Sequence, residues 1–473
     1  MKNISFSILL LASLCMMQAC KKELNALPEN SRVAAVAITD ARSAETALNG
    51  VYYAFANATP VKTNWTNHER YPAMLAGYLN YGFGPDPASE NRNNGLSSIY
   101  WNESYILINA ANGMLSGMEK LDDNTFAGNR KKEIIAETRF LRAYGHFKLL
   151  SYYAEWFKPS SALGVLIRDV PSSKGNISKQ RSTVQESYDF IIADLDDAIA
   201  NGAETRPGHY ATKWAAMLLK MRVLMSRAGS GDYAEVISLA NNIIQTGPYQ
   251  LEPVTKDLFY IKGLASNEVM LGLKPQANQH LDYYSRSKQF WPSASSLFVA
   301  TGNLKDLLQD DPRSSWLVGS ASPYAAYTPN SYYFTKYIPQ GSVATPVSET
   351  YYAMRLSEVY LLKAEAMIRS GGSLDDAKTA IKEVMTRGGV TDFSDIDNAA
   401  TPEDLLVQLY YETAKSFVAE DGQEWMALLR LDFNTVKQIR PTITDQRQYI
   451  VPIPHSEFVY NPAIGDQNPG YDK

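Results

Sequence analysis

Residues 214–243 read Trp-Ala-Ala-Met-Leu-Leu-Lys-Met-Arg-Val-Leu-Met-Ser-Arg-Ala-Gly-Ser-Gly-Asp-Tyr-Ala-Glu-Val-Ile-Ser-Leu-Ala-Asn-Asn-Ile, and their spacing predicts two helices joined by a tight turn. Trp214, Met217, Met221 and Leu224 recur at steps of three and four, which puts them on one face of a helix. Ala228-Gly229-Ser230-Gly231-Asp232 then turns the chain, and Tyr233, Val236, Ala240 and Ile243 line a second face. The same design returns downstream. Leu356, Tyr360, Ala364 and Met367 precede a Gly371-Gly372 stop, and Leu374, Ala377, Ile381 and Val384 follow, with Ser373 and Asp376 at capping-box spacing. Upstream, Ala136, Phe140, Ala143, Phe147 and Leu150 form a stripe between Arg130 and Trp156, which Pro159 ends before a helix over Val184 to Ile199. A fourth pair starts at Thr401-Pro402-Glu403-Asp404, with proline at the first helical position, and its second helix is expected over about Asp421 to Arg430.

Helix hairpins of this size, bounded by small residues, resemble tetratricopeptide units. No fixed period joins them, so the reading is a mostly α fold of interrupted tetratricopeptide-like pairs, at 130–246 and 352–432. Periodicity alone leaves an unrelated helical arrangement open. Two stretches, 59–98 and 247–350, lack helical periodicity and are rich in Pro, Gly, Asn and aromatic residues; loops this long usually carry function. The tail from Tyr449 to Tyr471 is proline-punctuated and reads as extended.

The N-terminus predicts the compartment. Lys2, the apolar run from Ile4 to Leu14 and the small Ala19 describe a secretory signal peptide over 1–19, too short to remain as a membrane span. Met17-Gln18-Ala19-Cys20 resembles the lipobox of bacterial lipoproteins, which makes Cys20 the lipidation site and 20–473 a single mature domain behind a tether over Lys21 to Asn30. The chain's two cysteines are Cys15 and Cys20, so cleavage and acylation leave no thiol for a disulfide, a zinc site or a nucleophile. Net charge is −5 with no dense basic run after the signal, which argues against a nucleic-acid partner. Tyrosine is abundant, at 30 residues against 5 histidines, which suits contact surfaces with one wet side.

No nucleophile elbow, Walker loop or His-Glu-x-x-His run occurs, and no cofactor is expected. The acidic runs Asp194-Asp196-Asp197 and Glu420-Asp421-Glu424 read as solvated helix faces rather than a catalytic pair. His68, His146, His209, His280 and His455 lack metal-ligand spacing. Asp392, Ser394, Asn398 and Glu403 mimic a calcium loop, but Ile396 stands at a ligand position and Asp397 at the turn glycine, so an acidic turn is the better reading.

Four segments resemble the SusD/RagB family of outer-membrane nutrient-binding lipoproteins. They are Leu48-Asn49-Gly50-Val51-Tyr52, Ala136-Glu137-Thr138-Arg139-Phe140-Leu141-Arg142-Ala143-Tyr144, the run from Arg355 to Ala366, and the closing Val451-Pro452-Ile453-Pro454, Asn461-Pro462 and Gln467-Asn468-Pro469-Gly470-Tyr471. Glu420-Asp421-Gly422-Gln423-Glu424-Trp425 departs from the family's usual Gly-His-Arg-Trp type run. The resemblance implies a non-enzymatic protein on the cell surface that captures oligosaccharides, or other oligomeric nutrients, for a SusC-like TonB-dependent transporter. A tetratricopeptide-like scaffold lipoprotein holding a peptide partner is the alternative. Sugar rings pack their C–H faces on aromatic rings and need polar groups beside them. Loop aromatics with polar neighbours are therefore the expected ligand platform: Trp65, Tyr78, Tyr81, Trp291, Tyr324 and Tyr327.

Overall fold

The apolar stripes become helices, and each helix buries its stripe against the next. In chain order, α1 (Ala41–Phe55) and α2 (Thr66–Leu75) lead into a short strand β1 (Leu79–Tyr81). Then come α3 (Ile99–Met118), α4 (Arg130–Tyr153), α5 (Val184–Asn201), α6 (Lys213–Arg227) and α7 (Asp232–Thr246). The central insertion follows, with β2 (Val269–Leu273), α8 (Arg286–Phe290), β3 (Phe298–Thr301), β4 (Val318–Ala321), β5 (Ser331–Phe334) and β6 (Tyr351–Arg355). The chain closes with α9 (Leu356–Arg369), α10 (Leu374–Arg387), α11 (Pro402–Phe417) and α12 (Gln423–Leu429) before its extended tail. This computed structural model describes residues 38–473 apart from 85, 93–97, 293–295, 340 and 342, and leaves out the side chains of 99, 324 and 325. The expected signal peptide, Cys20 and the tether lie outside the described residues. No described helix is long and apolar enough to cross a membrane.

The stack is continuous although the sequence is not. α4 packs on α3 and α5, α5 on α6, α6 on α7, and α7 directly on α9. The antiparallel pairing of β2 with β6 makes this possible, because Leu273 opposite Tyr351 and Val269 opposite Arg355 bring the two ends of the insertion together. Helix ends follow the residues read for them. Ser373 accepts from the Asp376 N–H, and Thr401 accepts from the Asp404 N–H ahead of Pro402. Gly231 and Gly371 take positive φ at the turns, where a side chain would be strained.

The acidic runs correct their reading. Asp194 is buried, and the Arg142 guanidinium grips it with two bonds of 2.8 and 2.7 Å. Arg139 reaches Asp197 at 3.1 Å. Glu420, Asp421 and Glu424 are buried as well. Asp421 lies 2.7 Å from Arg222 and 2.6 Å from Lys148, while Arg222 also holds Glu358. Burial opposes the Asp421 charge, yet Lys148, His68 and Arg222 hold its carboxyl well below the usual range. A charge network thus exists where the family's usual run is replaced.

The tail is pinned by its amides. Val451 N–H donates to Tyr152 at the end of α4, and the Asn468 amide donates to the Tyr153 and Val451 carbonyls at 3.0 and 2.8 Å. Gln467 brackets Ile453 with two bonds of 2.9 Å, and Asn461 does the same for the Lys179 backbone. The tail is extended except for short helical turns at His455–Tyr460 and Pro462–Ile464.

Candidate functional site

The two aperiodic stretches build one sheet. Among the described residues it runs β1-β3-β5-β4, antiparallel throughout, with Asn80 opposite Val299, Ala300 opposite Tyr332, and Val318 opposite Phe334. The segment 59–98 therefore joins the insertion 247–350 through backbone bonds. Gly82 N–H extends the seam to the Leu297 carbonyl, and Thr328 Oγ1 donates to the Tyr81 carbonyl at 2.9 Å.

Beside this seam opens a cleft of about 530 Å³ lined by Phe83, Tyr283, Tyr284, Lys288, Gln289, Trp291 and Leu297. That volume suits a small ligand or a few units of a polymer. Its rings reach solvent: Tyr283 is 65% exposed, Tyr284 58% and Phe83 43%. The two tyrosines stand edge to face, with centroids 5.0 Å apart and planes at 89°, so they present two faces at right angles.

Helix α8 supplies the other wall, and its pattern explains the arrangement. Arg286, Ser287 and Phe290 point into the protein, which turns Lys288 and Gln289 outward and places Trp291 at the helix end. The inward residues fasten the helix. Arg286 binds both oxygens of Glu69, donates to the Ser348 and Thr350 carbonyls, and stacks 3.3 Å from the Tyr337 ring centroid. Burial opposes its charge, but Glu69 outweighs that and holds the guanidinium protonated. Phe290 packs among Phe298, Phe334 and Tyr337. The Gln289 amide donates to the Tyr284 carbonyl at 3.1 Å, which ties the tyrosine loop to the helix.

The expected platform residues divide. Trp291 lines the cleft. Tyr81 lies behind it, against Phe83 and Phe298 at 5.6 and 6.1 Å. Tyr327 is 64% exposed, next to the Thr328 that bonds the Phe83 loop, but it is not in the lining. The Tyr324 side chain lies outside the described residues. Trp65 and Tyr78 require correction. Trp65 is fully buried, stacked 4.4 Å from His68 and edge-on to Phe55. Tyr78 is buried with its hydroxyl 2.6 Å from that of Tyr410. Neither ring leaves a face for a ligand, because each is the anchor of its own loop. The sequence reading missed Phe83, Tyr283, Tyr284 and Lys288. The adjacent tyrosine pair after Asp282, in an aperiodic segment, was the available signal.

No group of three or more His, Cys, Asp or Glu among the described residues is placed to hold a metal ion. Asp392 instead accepts from the Ser394 N–H at the start of a short helical turn.

An interrupted tetratricopeptide-like stack with an aromatic cleft on its insertion defines the structural class. A family model described as starch-binding and associating with the outer membrane matches residues 35–225, and the SusD family model matches 283–471. A SusD-like protein of Bacteroides ovatus is 24% identical over 59% of this chain and 56% of its own length. SusD-like protein P38 of Formosa agariphila is 21% identical over 99% of both chains. A crystal structure of a SusD superfamily protein from Bacteroides thetaiotaomicron superposes with a TM-score of 0.74 at 22% identity, over 91% of this chain and all of that one. A laminarin-binding SusD-like protein gives 0.70 at 19%, over 92% of this chain and all of that one. The chain belongs to the SusD/RagB family.

Proposed function

We propose that this protein captures oligosaccharides at the cell surface, without catalysis, for uptake through a SusC-like TonB-dependent transporter. The observation that supports this most is the cleft. Exposed rings of Phe83, Tyr283 and Tyr284 and the half-buried Trp291 converge there with the Gln289 amide and the Lys288 ammonium on a rigid support. Aromatic faces suit the C–H faces of sugar rings, and the amide and ammonium suit their oxygens. The starch-binding description of the matching family model and the laminarin-binding neighbour favour a glycan. The pocket between α4, α6 and α12 holds only about 20 Å³, room for a water rather than a peptide side chain.

Calorimetric titration of the soluble mature protein against an oligosaccharide panel tests the site. Trp291→Ala is expected to weaken the best ligand about tenfold, ~1.4 kcal/mol. Unchanged affinity, with circular dichroism intact, would move the site elsewhere. In this reading Cys20 carries the acyl anchor, so Cys20→Ala abolishes acyl labelling; persistent labelling would overturn the anchor. Mild-detergent purification from the native membrane should recover a transporter barrel, and recovery of the lipoprotein alone would count against that partner.

A further inference from the structure

Some of this protein's lysines are held by carboxylates. Lys148 and Lys336 are buried against Asp421 and Glu420, Lys220 is buried beside Asp196 and Glu235, and nearer the surface Lys131 meets Asp123 and Lys213 meets Glu204. The lysines of the cleft are not. Among the described residues Lys288 is the one charged side chain in its lining, and its ammonium reaches the Leu281 carbonyl at 3.5 Å. Lys62 stands at the same tyrosines, 5.5 Å from the Tyr284 ring centroid. Among the described residues neither ammonium has a carboxylate partner. The nearby acid, Asp282, is turned into its own loop, where it accepts the Tyr284 N–H at 2.6 Å.

The position of Lys288 is imposed from below. The fork between Arg286 and Glu69, and the aromatic cluster around Phe290, hold α8 so that Lys288 faces the cleft beside Trp291. An unpaired cation therefore sits fixed at an aromatic surface on a protein whose net charge is −5. The overall charge repels anions, so local cations are what would draw an anionic ligand to this one place.

We infer that the cleft takes an anionic oligosaccharide, bearing carboxylate or sulfate groups, with Lys288 ion-paired to one of them and Lys62 adding attraction at the Tyr284 edge. Sugar rings then stack on the tyrosines and Trp291, while the charge fixes their register. This assignment rests on the glycan-capture reading above. It gives that reading a charge class, since a charge-assisted bond adds to stacking what a neutral hydroxyl does not.

The test is titration calorimetry on the mature chain with three probes of equal length: an oligouronate, a sulfated oligosaccharide and a neutral oligosaccharide, each at low and high salt. At least one anionic probe should bind about tenfold or more tighter than the neutral one, with affinity falling as salt rises. Which anionic probe wins identifies carboxylate or sulfate. Lys288→Gln should remove most of that advantage, bringing the anionic-to-neutral affinity ratio towards one whatever it does to the neutral probe, while Lys288→Arg retains the ratio. Equal affinity for neutral and anionic probes, or an indifferent Lys288→Gln, overturns the charge assignment and leaves glycan capture standing. Binding of none of the three saccharides overturns both.

Discussion

The buried interior of the stack and the cleft on the insertion treat polar groups in opposite ways. In the stack, charged side chains are buried and answered: Arg142 by Asp194, Arg222 by Glu358 and Asp421, and Arg355 by Glu268 and Glu420. In the insertion, the cleft turns apolar rings outward and leaves Lys288 unanswered. Buried charges without partners destabilise a fold strongly, so the stack is satisfied internally. Exposed rings and a free ammonium cost little in water and are available to a ligand. The contrast separates what holds the molecule from what it offers.

Removing a partner inside the stack should have the largest effect. Arg222→Met leaves Glu358 and part of Asp421 buried without a counter-charge, and should cost ~3–5 kcal/mol in urea unfolding. A loss below ~1 kcal/mol would mean that the interior pairs are not what holds the stack.

Glu424 is the exception that sharpens the comparison. It is buried, one oxygen accepts the Ala419 N–H at 3.0 Å, and the other has no partner among the described residues. Burial pushes its carboxyl up from 4.5 to about 8. The folded chain thus keeps a proton that the unfolded chain releases above the ordinary carboxyl range. Its contribution is fully present below pH 4.5 and is lost as pH rises to about 8. Glu424→Gln should remove this slope and stabilise the protein by ~1–3 kcal/mol at alkaline pH, with little change in acid. Parallel denaturation curves for the two proteins across that range would show that Glu424 is not held neutral.

The smallest effect on folding belongs to the cleft. Tyr284→Ala should change unfolding free energy by no more than ~0.5 kcal/mol, as at other surface positions. It should still weaken ligand binding about tenfold. A large loss of stability instead would make that ring part of the core and erase the contrast.

Much of the stack was legible because helices announce themselves locally. The stripes at Trp214–Leu224 and Leu356–Met367, the caps at Ser373 and Thr401, and the turn at Gly231 all lie within a few residues of what they determine. The insertion's sheet was not legible, since strands such as Leu79–Tyr81 and Ser331–Phe334 are too short to show an alternation. The acidic runs misled for a related reason. Asp194 meets an arginine 52 residues away and Asp421 one 199 residues away, so spacing along one helix says nothing of them.

The candidate site divides along the same line. Aromatic residues in aperiodic segments were enough to point at Trp291 and its surroundings, because composition marks a region that is not core-forming by pattern. Which rings face water is a different matter. Trp65 and Tyr284 have similar local sequence settings, yet one stacks on His68 in the interior and the other stands 58% exposed. The sequence by itself determined the helix pairs, their caps and turns, and the family motifs, since those depend on residues three or four apart. Only the tertiary structure decided the burial of each ring, the partner of each charge and the cleft itself. Those follow from packing between segments hundreds of residues apart, through the β1–β3 seam and the Glu69–Arg286 pair.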